Sequence, residues 1–557
     1  MPGAPADIII IGSGAGGAAC AWALCQRGIR VLILEAGPRF DPYLDYGLDQ
    51  PDWEQHRFPE SKASTGRYSF GSLQTLDLHW KGLRSWNHIH GEMNKTTRRH
   101  GAKYHHVRGV GGSTLHFTGE AHRLNPDNMH MHSRFGVAAD WPMTFQELEP
   151  YYEQAEKLIG VAGGTRPFNL RNTGHFLPPH APGYASKKII AGCIHLGLRW
   201  MPNTLATLSQ PYNGRPKCNY CANCNRGCPR KDKGSADVTF IDNALKSGYC
   251  TVLPQSEVLK VNTKNNDTVG SVDYVDHKGK LNSLSARVVV VACGAVQTPR
   301  LLLLSASADA PDGLANESGE VGKHFMETVS WNSAGLHSEN IASYRGLPSD
   351  IICWDYNGPD AIPNVIGGCR FSPTTAEADI IGPINYAGRA VKGWGKQHKI
   401  AMRNNFGKVL SIGSMGESLP NPKSFIDLDP QQTDDNGQAI ARIHSHLEQN
   451  DLRRLQFMAD KTREILQAAG VEEIFEEYGS YDFFNSTHVF GGARMGNDAE
   501  TSVVNAYGRS HRWKNLFITD ASVFPSSGGG ESPSLTIEAL AIRTAEQICD
   551  AMVKKVL

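Results

Sequence analysis

The sequence predicts an α/β protein: a domain built on a buried parallel sheet, interrupted by insertions that form an antiparallel sheet with helices. Three observations predict it. A β-branched run, Asp7 to Ile11, passes straight into Gly12-Ser13-Gly14-Ala15-Gly16-Gly17 and an Ala-rich segment. Two further apolar runs, Val288–Val291 and Leu516–Ile518, recur far downstream, each followed by a helix-like segment. Residues 335–480, between them, are mixed and cut into short extended runs by Pro, Gly and Asn, as an antiparallel sheet requires.

The elements follow in order. Ile8–Ile11 suits a strand buried on both faces. Gly12, Gly14 and Gly17 have the G-x-G-x-x-G spacing, Ala18 to Gln26 reads as a helix, and Gly28 fits its stop. A second strand, Val31–Leu34, ends at Glu35. Gly12 permits the tight turn, Gly14 lets backbone approach a pyrophosphate, and Gly17 allows close helix–strand packing. The helix N-terminus offers free N–H groups to phosphate, and Glu35 accepts from ribose hydroxyls. Strand, glycines, helix, strand and acid in this order predict a Rossmann-type dinucleotide site. The motif does not separate FAD from NAD; Ala36-Gly37 after the acid leans toward FAD.

Three later segments return to this domain. Arg108 to Thr114, with Gly111, Gly112 and Ser113, is a glycine loop able to press its backbone on a flat cofactor. Val288–Val291 leads through Gly294 to a helix over Thr298–Leu304, and Leu516 to Asp520 is a strand ending in an acid. A long amphipathic helix from about Leu535 to Lys554 closes the chain. Between them, Thr144-Phe145-Gln146-Glu147 has the capping-box spacing of a helix start. The resulting division assigns 1–129, 230–334 and 481–557 to the cofactor domain. Residues 130–229 and 335–480 are assigned to the inserted substrate domain.

With 557 residues, 40% hydrophobic and 20% charged, the chain has the length for more than one core and the composition of a globular enzyme. Its 56 basic and 56 acidic residues balance, which disfavours nucleic acid or an anionic membrane as partner. No run approaches the 18 or so apolar residues of a membrane helix. Met1 to Asp7 lacks the positive n-region of a secretory signal, so a cytoplasmic location is expected.

Four of the 12 cysteines fall at Cys218-x2-Cys221-x2-Cys224-x3-Cys228-Pro229, the spacing of bacterial-type iron–sulfur ligation. A 3Fe–4S or 4Fe–4S cluster is the expectation, with all four thiols as candidate ligands. Zinc is a weaker fit, since its structural sites usually draw two pairs from separate loops. Disulfides have no export signal to support them. The histidines dense between His79 and His132 read as solvated loop residues rather than a metal site.

Together these segments resemble the glucose–methanol–choline (GMC) oxidoreductases, which use FAD. Asp140-Trp141-Pro142, Leu148 to Tyr152 and Gly160-Val161 resemble especially the bacterial glucose, fructose and gluconate dehydrogenase branch. His488-Val489-Phe490-Gly491-Gly492 matches the segment that carries the family's proton-handling histidine. The resemblance therefore implies His488 as base for the hydroxyl proton while the carbinol hydride passes to flavin. The partner expected about 44 residues later, His or Asn, is replaced by Ser532, in Gly530-Glu531-Ser532-Pro533-Ser534. Serine can hydrogen-bond but is no base near pH 7, and Glu531 stands one position earlier as a substitute. His116 lies where some pyranose-oxidising relatives attach FAD covalently, although others carry the histidine without a bond. Asp520 completes the cofactor-binding set.

The branch holds a three-iron cluster in its catalytic subunit, shares the Cys-x3-Cys-Pro ending and works with a small subunit and often a cytochrome. The implied function is oxidation of a sugar, glycoside or polyol alcohol, with electrons relayed to a cytochrome or quinone. A small subunit carrying the export signal would make the enzyme periplasmic. The alternatives are an oxygen-using FAD alcohol oxidase without a cluster, and a non-catalytic FAD-binding protein.

Overall fold

The computed structural model describes residues 6–47, 53–54, 67–92, 95–164 and 176–557. Residues 1–5, on which the reading of the chain start partly rests, lie outside them. In chain order the elements that build the site are β1 (Ile8–Ile11), α1 (Ala15–Cys25), β2 (Val31–Leu34) and α2 (Phe145–Ile159). Next come β3 (Cys250–Leu253), β4 (Val288–Val291), α3 (Gly294–Leu304), β5 (Val329–His337), β6 (Cys369–Pro373) and β7 (Val409–Gly416). The last are α4 (Gln449–Ala468), β8 (Val471–Gly479), β9 (Leu516–Ile518) and α5 (Ser534–Val553).

One sheet runs β9-β4-β1-β2-β3, all neighbours parallel. Ile8 pairs with Val288 on one side and Val31 on the other, so β1 lies mid-sheet. Every residue of β1 and β4 is buried, which is why both read as unbroken β-branched runs. Each such side chain contributes about 1.5–3 kcal/mol on burial. Helices α1 and α5 pack on each other, and α2 packs on α5. The Thr144 capping box is present: the Thr144 hydroxyl accepts from Glu147 N–H, and the Glu147 carboxylate accepts from Thr144.

The helix expected over Thr298–Leu304 begins earlier, at Gly294, with Pro299 inside it. Pro299 falls in the second turn, past the unpaired N–H groups of the helix start, so the helix forgoes one internal hydrogen bond there. The C-terminal helix runs Ser534–Val553.

A second sheet is antiparallel and has eight strands. Its centre is β8-β5-β7-β6, and α4 lies across β5, β7 and β8. It recruits Trp86–Asn87 and Trp200–Pro202 from outside the 335–480 stretch. Its central strands β5, β7 and β8 and the ends of the parallel strands line one shared cavity. That cavity positions everything below.

Candidate active site

The cavity measures about 830 Å³ and is lined from Gly12, Gly14 and Glu35 at one end to His488 and Ser532 at the other. This lies high in the range of about 300–1,000 Å³ typical of ligand sites. At the first end, Gly12 has φ +97°, a left-handed conformation, and a Cβ there would collide with the carbonyl oxygen of Ala292. Gly14 caps α1 without any side-chain hydrogen bond, leaving the first N–H groups of the helix to a ligand. A Cβ on Gly14 would meet only Gly112 Cα, at 3.8 Å, so the space in front of this turn belongs to neither loop. A Cβ on Gly112 would press on Gly14 Cα, which is how closely the second glycine loop approaches the first.

Glu35 is oriented before any ligand arrives. Its Oε2 accepts from Ser13 N at 3.0 Å and Ser13 Oγ at 2.6 Å, and its Oε1 accepts from Gly37 N at 2.9 Å. Burial pushes its pKa up, against these hydrogen bonds. Gly111 N donates to Ser13 O at 3.2 Å, tying the 108–114 loop to the β1–α1 turn. Ser113 and Asp520 also line the cavity. Asp520 accepts from Thr298 Oγ1 at 2.5 Å, Gly294 N at 2.9 Å and Ser522 N at 2.8 Å, joining the ends of β4 and β9. An uncapped helix N-terminus, two close glycine loops and a pre-oriented carboxylate fit a dinucleotide such as FAD.

At the other end, the His488 ring lines the cavity, and its buried Nδ1 has no hydrogen-bond partner among the described residues. Burial brings its pKa down to about 4, with Glu120 opposing and Arg370 reinforcing the fall. The imidazole is therefore neutral at pH 7 and free to accept a proton. His116 also lines the cavity; its Nε2 is buried without a partner among the described residues, and burial lowers its pKa to about 3.

Ser532 Oγ donates to Glu120 Oε2 at 2.7 Å, and Ser532 N donates to His122 Nδ1 at 3.1 Å. Glu120 is fully engaged. Its Oε2 also accepts from Arg370 Nη2, and its Oε1 accepts from Ser349 Oγ at 2.8 Å and Asn203 Nδ2 at 3.1 Å. Glu531, weighed as a substitute, does not line the cavity: its Oε1 accepts from Asn125 N at 3.1 Å and Asn357 Nδ2 at 2.9 Å. Sequence reasoning missed Glu120, Arg370 and Glu377. Glu120 follows His116 by four residues, and nothing in that spacing marks it; the other two lie in the unpatterned stretch.

The cysteine loop abuts this cavity through Asn225 and Arg226. It is wound tightly, with Tyr220 and Ala222 both at φ +61°, and the buried Lys233 Nζ ties Cys224 O at 2.6 Å to Leu115 O and Phe117 O. The four thiols are not drawn into a metal site: among the described residues no group of three or more His, Cys, Asp or Glu is placed to hold an ion. Tyr220 N donates to Cys218 Sγ at 3.3 Å, and Cys228 Sγ donates to Asp232 Oδ1 at 3.4 Å. Burial pushes the Cys218 thiol up to about 12 and raises Cys224 and Cys228. As arranged, the thiols do not fit a cluster.

Comparison with known proteins agrees with this geometry. The GMC oxidoreductase models match residues 104–329 and 420–541, and an NAD(P)-binding Rossmann-like domain matches 10–40. The chain is 28% identical to 2-methyl-1,2-propanediol dehydrogenase of Mycolicibacterium austroafricanum, covering 97% of this chain and 95% of that one. It is 27% identical to the fructose dehydrogenase large subunit of Gluconobacter japonicus, covering 98% and 97%. Among solved structures, pyridoxine 4-oxidase from Mesorbium loti aligns over 98% of this chain and 99% of its own, with a TM-score of 0.62 at 18% identity. No helix among the described residues is long and apolar enough to cross a membrane.

Proposed function

Because this chain belongs to the GMC oxidoreductase family, whose members are FAD-dependent and act on alcohols, we propose that it is a dehydrogenase of a small polyol or sugar with His488 as its base. The observation that carries the reading is the neutral His488 imidazole, unbonded through Nδ1 and lining the same cavity as the dinucleotide turn.

When bound, FAD supplies the two-electron acceptor for the carbinol hydride. The protein's own part is proton handling and positioning. Gly12, Gly14 and the N-terminus of α1 receive the pyrophosphate, with Glu35 held for ribose hydroxyls. Gly112, Ser113 and His116 border the same space, as does Asp520, while Gly111 ties their loop to the β1–α1 turn. His488 accepts the hydroxyl proton of the substrate. Ser532 has committed its own proton to Glu120. It therefore offers the substrate a lone pair rather than a donor and is no base; since the reacting hydroxyl's one proton goes to His488, that lone pair serves a second donor group of the substrate.

Dehydrogenase rather than oxidase is the finer part of the reading. Supporting it are the two dehydrogenase relatives. A cytochrome or quinone acceptor, a small accessory subunit and periplasmic co-export follow from the same resemblance. An oxygen-using reading is supported by relatives of equal identity that are named as oxidases.

The test is anaerobic flavin reduction followed by stopped flow. Polyols or sugars should bleach the flavin, and His488→Ala should keep FAD yet slow bleaching by about 100-fold or more, the usual loss for a general base. Unchanged reduction in that variant would remove His488 from the mechanism. Fast peroxide formation with no added acceptor would replace the dehydrogenase reading by the oxidase one.

A further inference from the structure

At the dinucleotide end Glu35 and Asp520 face the cavity held by neutral donors, whereas around the substrate end the carboxylates are matched by cations. Near His488 and Ser532, Glu120 is bonded to Arg370, Asp379 to Arg226 at 3.0 Å, and Glu476 to Arg389. Glu377 breaks the pattern. It lines the same cavity, and among the described residues it forms no ion pair. Its one hydrogen-bonding neighbour is the Thr118 hydroxyl, between His116 and Glu120. The Arg370 guanidinium acts on it only electrostatically, having already been taken by Glu120. Glu377 is thus the carboxyl at the substrate end that no side-chain cation pairs with among the described residues.

A carboxyl in this position has two ways to avoid an unpaired buried charge. In the empty site it keeps its proton: burial, with the Glu120 charge adding to it, pushes its pKa up to about 8. The other way is to receive a cation. The surroundings suit a cation with some organic bulk, since Tyr478 lines the cavity too and an aromatic ring stabilises an ammonium placed over it. Tyr478 lies close enough to Glu377, Asp379 and Arg389 to feel the charge of each.

We propose that Glu377 is a specificity residue that receives a protonated amine of the substrate, so that the enzyme's preferred substrates are alcohols bearing an amino group. This rests on the alcohol-oxidising reading above and narrows it. The ammonium pairs with Glu377, which ionises in its presence, and the carbinol is left to reach His488 at the same end of the cavity. A neutral polyol leaves Glu377 protonated and gains from it only an ordinary hydrogen bond.

The experiment uses the FAD-loaded enzyme at pH 6.5 without oxygen, where the amines are protonated, and matched pairs of alcohols: 3-aminopropan-1-ol against butan-1-ol, and glucosamine against glucose. The concentration for half-maximal bleaching rate and the limiting rate are read separately. The amine member of each pair should half-saturate at a concentration at least tenfold lower. In Glu377→Gln that ratio should collapse toward one through the half-saturation term, with the limiting rate for amines much less affected, because His488 is untouched. FAD content of the variant, read from its absorption spectrum, separates this outcome from misfolding. Equal or tighter saturation by the neutral partners, or an amine preference that survives Glu377→Gln, overturns the inference while the alcohol-oxidising reading stands. Bleaching by neither set overturns both.

Discussion

Replacing Glu120 by Gln should be among the most damaging conservative changes in the protein. The carboxylate accepts four donors, from Arg370, Ser532, Ser349 and Asn203, so no lone pair is left for a fifth. An amide keeps one oxygen and turns an NH2 toward two of those donors, and Asn203 Nδ2 cannot reverse its role. The larger loss is charge: Arg370 is buried, and breaking a buried pair by removing one partner costs about 3–5 kcal/mol. Linkage gives a similar figure. Arg370, together with the hydrogen bonds from Ser532 and Ser349, overcomes burial to hold Glu120 down to about 2. Against an ordinary carboxyl at 4.5 that is worth about 3 kcal/mol at 1.36 kcal/mol per pH unit. Because the folded-state value is depressed, this stability is fully present above pH 4.5 and is lost as pH falls toward 2. Urea unfolding of the FAD-loaded protein at pH 7 should show the loss in Glu120→Gln, and a wild-type stability that declines faster than the variant's between pH 4.5 and 3. A double variant, Glu120→Gln with Arg370→Met, should recover part of the loss, since no charge is then stranded. A single variant as stable as wild type at pH 7 would refute the buried-pair account.

Two further outcomes follow from the cofactor turn and the cysteine loop. Gly14→Val should fold, because its Cβ meets nothing nearer than Gly112 Cα at 3.8 Å, yet it should lose FAD as the side chain occupies the pyrophosphate's place; full FAD occupancy in the purified variant would contradict the turn's assignment. If the loop closes on iron and sulfide, protein prepared without air should contain both, and Cys228→Ser should deplete them while leaving substrate bleaching of the flavin intact and slowing turnover with a one-electron acceptor. Absence of iron from the unmodified protein would end the relay reading.

The parallel sheet was legible because its strands are buried on both faces, and β1, β4 and β9 therefore read as apolar runs without alternation. The turn was legible because tight geometry admits only glycine at Gly12. The substrate end was not, and the reason is physical. The antiparallel sheet takes Trp86–Asn87, Trp200–Pro202 and β5 to β8 from across the chain, so neighbours in the site are not neighbours in sequence. Arg370 lies on β6 and Glu377 four residues beyond it, with no periodic pattern to announce either. His488 was found through its motif, whereas Glu120 had no motif to carry it.

The replacement of the expected His or Asn by Ser532 has a consequence that local sequence cannot show. A larger side chain at that position would reach the substrate itself; the short serine hydroxyl turns back to Glu120, and the Glu120–Arg370 pair then stands behind it. Polar recognition at this end is therefore shared between Ser532 and groups contributed by β6 and its following segment. Charge is shared in the same way. Arg370 neutralises Glu120 and lowers the proton affinity of His488, while Glu120 raises it. The base strength of His488, set first by burial, is thus tuned by a pair whose Arg370 comes from the antiparallel sheet. Substrate choice and proton transfer should consequently change together when Glu120 is altered, whereas Glu377 should govern substrate choice alone, and both should be independent of FAD binding at Gly14 and Glu35.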